Sequence, residues 1–234
     1  MKKAVSVLEW GFLALLVLPP LGTVLSSCFG YTFELVSVTA FAAVTALLSA
    51  GFVVLRLVEK SACEGGAPGV LLALSAPLSL INALLSVLAN RSIWVIFCVL
   101  LCSGCCLFLT VKCGRPPALR IIALALSVLL LLPVGVTGFF AVIFGNIAQD
   151  TVVKTVASPN GVYYAEVIDS DQGALGGDTL VEVYETAGIN ALVFKISKKP
   201  QRVYVGDWGA FEGMEIYWKD DECLVINGAE YPIE

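Results

Sequence analysis

Four of the eight cysteines, Cys98, Cys102, Cys105 and Cys106, stand at i, i+4, i+7 and i+8, which on a helix is largely one face. Cys102 and Cys105 form a C-x-x-C, the spacing used for thiol–disulfide exchange and for soft-metal ligation. Two chemical readings follow: a membrane thiol oxidoreductase using Cys102 and Cys105, or a thiolate metal site. Each meets a physical obstacle. The run around them is apolar, thiolates are costly to hold in such surroundings, and no second C-x-x-C completes a set of four soft ligands. A third reading treats the cysteines as small buried hydrophobes that pack a helix face, with lipidation near Cys113 as a minor variant.

Other chemistries fail on composition. The 234 residues contain no histidine, which excludes Ser-His-Asp and Cys-His catalysis and histidine metal sites. With 14 Lys+Arg against 19 Asp+Glu the chain is acidic, whereas nucleic-acid binding needs a basic surface. Asp169, Asp171 and Asp178 flank a glycine-rich loop that begins like a calcium loop. It then places Gly173 and Ala174 where a ligand and the turn glycine belong, and no bidentate glutamate follows. No catalytic residue, cofactor or metal is therefore expected.

The elements that must hold these residues are membrane spans. Hydrophobic residues make up 58% of the chain and charged residues 14%, far from a soluble balance. A span needs about 20 apolar residues. Five stretches qualify, at about 4–25, 33–55, 69–89, 93–111 and 121–147. Pro19, Pro20, Pro77 and Pro133 fall inside them and are read as kinks. Glu9 and Glu34, near helix ends, are read as interfacial carboxylates, and Asn82 as an interhelical hydrogen-bonding group. Ala42, Ala46 and Ala50 make a small face for close helix approach.

Charge divides the chain near Asp150. Residues 1–149 carry net +4 and residues 150–234 net −9. Threading five spans puts Lys2, Lys3, Arg56, Lys60, Lys112, Arg115 and Arg120 on one side and Arg91 alone on the other. Positive loops stay inside, so the amino terminus is expected in the cytoplasm and residues 150–234 outside the cell membrane. The run ending Leu25-Ser26-Ser27-Cys28 also resembles a bacterial lipoprotein signal with a lipidated Cys28. Glu9, the paired prolines and the length of the apolar run favour an ordinary helix.

From Thr151 onward the pattern changes to short β-rich runs between turn residues, predicting an antiparallel all-β domain. Strands are expected at 152–157, 162–169, 179–185, 192–197, 202–207, 214–219 and 224–226, with a last at 230–233. Met214, Ile216 and Trp218 alternate with polar neighbours, and Asn227-Gly228 is a hairpin signal. Ser158-Pro159-Asn160-Gly161 before Tyr163, with Trp218-Lys219-Asp220-Asp221 leading to Val225-Ile226-Asn227-Gly228, resembles a bacterial family of membrane-tethered extracytoplasmic β domains of unknown function. The resemblance covers about 151–233; members of that family carry one helix, not five, and it implies no activity.

The expected fold is thus a multi-pass α-helical membrane bundle of five helices followed by a small all-β antiparallel domain. The expected function is non-catalytic: binding, sensing or an accessory role in the cell membrane. The lipid bilayer is the expected partner, together with a protein at the outer face, contacted through Trp208 and Phe211 in their glycine-flanked loop. A thiol oxidoreductase and a transporter or channel component stand as alternatives.

Overall fold

The computed structural model describes residues 2–58, 67–144, 149–173 and 176–233. Five helices come first: α1 Lys2–Cys28, α2 Val38–Val58, α3 Ala67–Ala89, α4 Ile93–Cys113 and α5 Pro117–Phe144. All five are long and apolar enough to cross a membrane, and the protein is a multi-pass membrane protein. The helices run through Pro19, Pro20, Pro77 and Pro133 without ending there. Lys60 and residues 145–147 of the fifth expected span lie outside the described residues.

Ten strands follow the same numbering along the described chain: β1 Tyr31–Leu35, β2 Gln149–Ala157, β3 Tyr163–Asp171, β4 Gly177–Glu185, β5 Gly188–Asn190, β6 Phe194–Lys198, β7 Gln201–Asp207, β8 Ile216–Trp218, β9 Cys223–Ile226 and β10 Ala229–Pro232. The carboxyl-terminal region is all antiparallel β, as its alternation implied. Two of these strands were not foreseen. Tyr31–Leu35 overlaps the start expected for the second span at 33, and Gly188–Asn190 is too short to carry an alternating signal.

The chain forms two compact units. The first comprises Met1–Leu25 and Glu34–Ile143; the second comprises Ser26–Phe33 and Phe144–Glu234. The boundary thus falls a few residues before the change in charge, and the second unit also takes in the connection between α1 and α2.

In the helical unit α4 is central, packed on both α2 and α3. Ala42 and Ala46 are buried on α2, where small side chains let backbones approach. One core cluster gathers Phe12, Leu16, Phe52 and Leu109, and another gathers Leu80, Val87, Val95 and Val134. Much of α5, including Ile121, Ile122, Leu129 and Leu132, is exposed, which suits a lipid-facing helix.

In the β unit, a four-stranded sheet in the order β2-β3-β4-β7 and a three-stranded sheet β10-β9-β8 share one core. Val167, Val181 and Val183 of the first cluster with Ile216, Leu224 and Ile226 of the second. Met214 and Ile216 are buried while Glu215 and Tyr217 are exposed, the alternation expected of a half-buried strand. Asn227 and Gly228 take φ values of 50° and 81°, the doubly left-handed pair that closes a two-residue hairpin between β9 and β10. The third sheet, β1-β6-β5, recruits its edge strand from between two spans.

Candidate functional site

The C-x-x-C lies on α4, and helical spacing turns Cys102 and Cys106 to the same side. Both are buried. Around them converge the buried hydroxyls of Thr45 and Ser49 from α2, beside Cys102, and of Ser75 and Ser79 from α3, beside Cys106. Cys105 is only half-buried and turns toward Ser49. Cys98, Cys102, Cys105 and Cys106 are all free thiols, whereas Cys113 at the end of α4 is disulfide-bonded.

The surrounding hydroxyls have their own internal partners. Ser49 donates to the Ala46 carbonyl at 2.9 Å, Ser75 to Leu72 at 2.9 Å and Ser79 to Ala76 at 2.8 Å, each one turn back in its own helix. Thr110 instead crosses from α4 to the Leu72 carbonyl at 2.8 Å. Such a seam of small polar side chains is how helices bind one another where the hydrophobic effect is absent. Among the described residues no group of three metal-ligating side chains is assembled.

Asn82 bridges helices as its type implied. Its Nδ2 donates to the Leu16 carbonyl of α1 at 2.6 Å and to Leu78 at 2.8 Å, while its buried Oδ1 has no partner among the described residues. Glu9 departs from the interfacial reading. It is 3% exposed and ion-paired to Arg56, which charge counting assigned to a loop. The pairing supplies the counter-charge that a carboxylate needs in apolar surroundings. Glu34 lies in β1 and is exposed. Cys28, at the last residue of α1, is also exposed.

The loop after β7 separates its two aromatics. Phe211 packs against the β core, whereas Trp208 is 56% exposed. Trp208 Nε1 donates to Asp169 Oδ1 at 3.2 Å, which fixes the ring edge-on to the end of β3. Gly177 lies under that ring: a Cβ there would stand 2.7 Å from Trp208 Cδ1 and 2.6 Å from the Ser170 carbonyl oxygen. Gly209, with φ 81°, turns the chain directly after the tryptophan. An exposed indole is thus held by one hydrogen bond and one glycine seat.

No protein-family model, characterised protein or solved structure matches the chain.

The acidic residues beside Trp208 hold local structure. Asp171 accepts the Gly173 N–H at 2.7 Å, and Asp178 accepts from Gln172 Nε2 at 3.2 Å. Ala174, the expected turn position of the calcium-like motif, lies outside the described residues. Farther along the same sheet, Glu166 stands directly across from Glu182. Burial, then the Glu182 charge, push the Glu166 carboxyl above its ordinary range, and Lys195 offsets part of this. Tyr184, stacked on Tyr164 at 5.1 Å and donating to Glu182 at 3.1 Å, has its phenol pushed upward by burial and by that hydrogen bond. Cys223 is likewise raised, so its thiolate is suppressed.

Neither Gly177 beneath Trp208 nor the Glu9–Arg56 pair was named from sequence. The adjacent Gly176-Gly177 before a strand was the available signal for the first. The second joins residues 47 apart, which no local pattern carries.

Proposed function

We infer that this membrane protein presents its acidic β unit outside the cytoplasm and acts there without catalysis, as a binding, sensing or accessory module. The observation that carries the reading is Trp208: a large ring left exposed yet held in place by Asp169 and seated on Gly177. Exposed tryptophans with a fixed ring contribute contact area at low entropic cost, which is how anchors at interfaces work. Phe211, anchored in the core, supports the loop and is a lesser contact. The resemblance to membrane-tethered β domains agrees with a non-catalytic role.

Placement outside rests on six cations in loops and at helix ends against one, Arg56 being taken up by Glu9. A second argument supports a common side for both ends of the bundle without choosing which. Residues 26–33 and 144–234 share one compact unit, so an even number of spans must separate them, and α2 to α5 supply four. One observation pulls the other way. Cys113 neighbours Lys112 on the side assigned to the cytoplasm, yet it is disulfide-bonded, and stable disulfides belong to oxidising compartments. A consistent asymmetry of six charges outweighs one bond.

The test is protease treatment of spheroplasts combined with acid trapping of thiols in whole cells. Loss of the segment after residue 144, with Cys113 trapped reduced, supports the reading. Protection of that segment with Cys113 trapped oxidised reverses the orientation.

A further inference from the structure

We propose that the small sheet β1-β6-β5 lies on the surface of the bilayer, its apolar face and the Leu192 turn reaching into the boundary between headgroups and acyl chains. The proposal concerns how the β unit meets the membrane and holds for either orientation, so it stands apart from the function proposed above.

The sheet has two unlike faces. Thr32 Oγ1 lies 2.9 Å from Ser197 Oγ, and Lys199 N–H donates to the Gly30 carbonyl at 3.0 Å, which sets β1 antiparallel to β6. Phe33 stacks on Phe194 with centroids 5.2 Å apart, and Ile189 stands across from Ile196. Strand alternation therefore puts Tyr31, Phe33, Leu35, Phe194, Ile196 and Ile189 on one face, with Lys198 at its edge drawn toward Glu185, and Thr32, Glu34, Ser197, Lys195 and Asn190 on the other. Ile189 is 63% exposed and Tyr31 is exposed as well. At the turn, where Ala191 N–H donates to the Phe194 carbonyl at 2.8 Å, Leu192 is 94% exposed with Val193 beside it. A single exposed leucine is ordinary; here Ile189, Leu192 and Val193 are exposed within five residues of one hairpin, which makes a patch.

Chain connectivity identifies the receiver. α1 ends at Cys28 and β1 begins at Tyr31; β1 ends at Leu35 and α2 begins at Val38. Both ends of β1 are thus two residues from a span. Successive strands lie about 4.8 Å apart, so β6 is one such step from β1 and β5 two. The polar layer of a bilayer is about 5–7 Å deep on each side, so a sheet standing upright would carry β5 beyond it, whereas a sheet lying flat keeps all three strands within it. Charge agrees. In a segment of net −9, residues 186–206 hold no Asp or Glu and four of its six cations: Lys195, Lys198, Lys199 and Arg202. Lys198 and Arg202 are engaged by Glu185 at 3.8 Å and Glu182 at 2.7 Å, leaving this the least repulsive part of the unit toward anionic headgroups. Amphipathic helices settle about 5–10 Å into this interface, and an apolar sheet face is drawn to it by the same burial of apolar area.

The test uses the full chain, with Cys28 and Cys223 replaced by serine, in bilayers of phosphatidylcholine and phosphatidylglycerol. Single cysteines replace Ile189, Asn190 or Leu192, all exposed positions, and carry a nitroxide; residual labelling is subtracted with the protein lacking an introduced cysteine. Collisions with oxygen, which partitions into lipid, are compared with collisions with a water-soluble nickel chelate. The expected result is an oxygen-to-nickel ratio several-fold higher at 189 and 192 than at 190. Equal ratios at 189 and 190, with 192 freely reached by nickel, would overturn the proposal. Exclusion of both reagents at 189 and 192 would also overturn it, because the face would then be covered by protein. Neither result depends on which side of the membrane the unit faces.

Discussion

Trp218→Ala and Trp208→Ala should separate the core of the β unit from its exposed anchor. The Trp218 ring packs against the cluster formed by Leu224 and Ile226, lies 6.3 Å from Tyr163 between ring centroids, and donates from Nε1 to the Val156 carbonyl at 3.0 Å. Truncating a buried tryptophan costs about 3–5 kcal/mol. Because this ring is half-buried, the lower end applies, about 3 kcal/mol, with the orphaned Val156 carbonyl included in that figure. For Trp208 the loss is one exposed hydrogen bond and little burial, about 1 kcal/mol or less. A unit of this size has a total stability of only about 5–13 kcal/mol, so the first change consumes a large share and the second does not. The assay is amide hydrogen exchange in β9 of the full chain in detergent. Exchange through global opening accelerates tenfold for every 1.4 kcal/mol lost, giving roughly a hundredfold for Trp218→Ala and less than about tenfold for Trp208→Ala. Similar large accelerations for both would show that Trp208 is part of the core, and the case for it as an anchor would fall. A negligible effect of Trp218→Ala would refute the assignment of the shared core itself.

Three further outcomes follow from other contacts. A fragment of residues 144–234, lacking β1, should keep slow exchange in β3, β4 and β9 but lose protection in β5 and β6, since only the latter sheet draws a strand from elsewhere; uniform protection would mean β1 is dispensable. Glu166→Gln should stabilise the β unit at neutral pH by about 0.2–1 kcal/mol by relieving the cross-strand repulsion from Glu182. Since the native Glu166 carboxyl titrates above its unfolded value, its protonated form is the favoured one; the penalty is absent at low pH and appears as pH rises through the raised native value, so the gain should vanish in acid melts. Arg56→Met should destabilise the helical unit by about 3–5 kcal/mol by leaving Glu9 buried without its partner, and adding Glu9→Gln should restore much of the loss in a denaturing-detergent titration.

Much of this architecture was legible because its signals are local. An uncharged run of about 20 residues has few destinations other than a span, and α4 follows its expected limits of 93–111 to within two residues. The alternation from Met214 to Trp218 and the Asn227-Gly228 turn each encode their geometry within a few residues. What escaped depends on distant partners. Tyr31–Leu35 lies between two apolar runs and takes its meaning from Ser197, 165 positions later than Thr32. The spacing of the cysteines announces one face, but that Cys102 and Cys106 are buried while Cys98 and Cys105 are only half-buried is decided by where α2 and α3 pack against α4. Two tryptophans ten residues apart likewise differ in role because one belongs to an alternating strand and the other follows a strand end, beside a glycine.

The strand borrowed from the α1–α2 connection also couples the two units during assembly. β1 is synthesised first, and its partner β6 arrives only after α2, α3, α4 and α5 have been made, so this pairing has a very long loop to close. Until then the backbone of Tyr31–Leu35 has no sheet partner and must be satisfied by water or headgroups. The pairing forms only if β1 and β6 emerge on the same face of the membrane. If one of the four intervening helices fails to cross, β6 is left on the opposite side, the Thr32–Ser197 and Phe33–Phe194 contacts cannot form, and β5 and β6 remain an isolated hairpin, which is marginal in water. The third sheet therefore closes only on a chain whose spans are correctly threaded, whereas the core between β3, β4 and β9 can form regardless. Correct insertion of the bundle is in this way recorded in the protection of β5 and β6 and not in the shared core of the β unit.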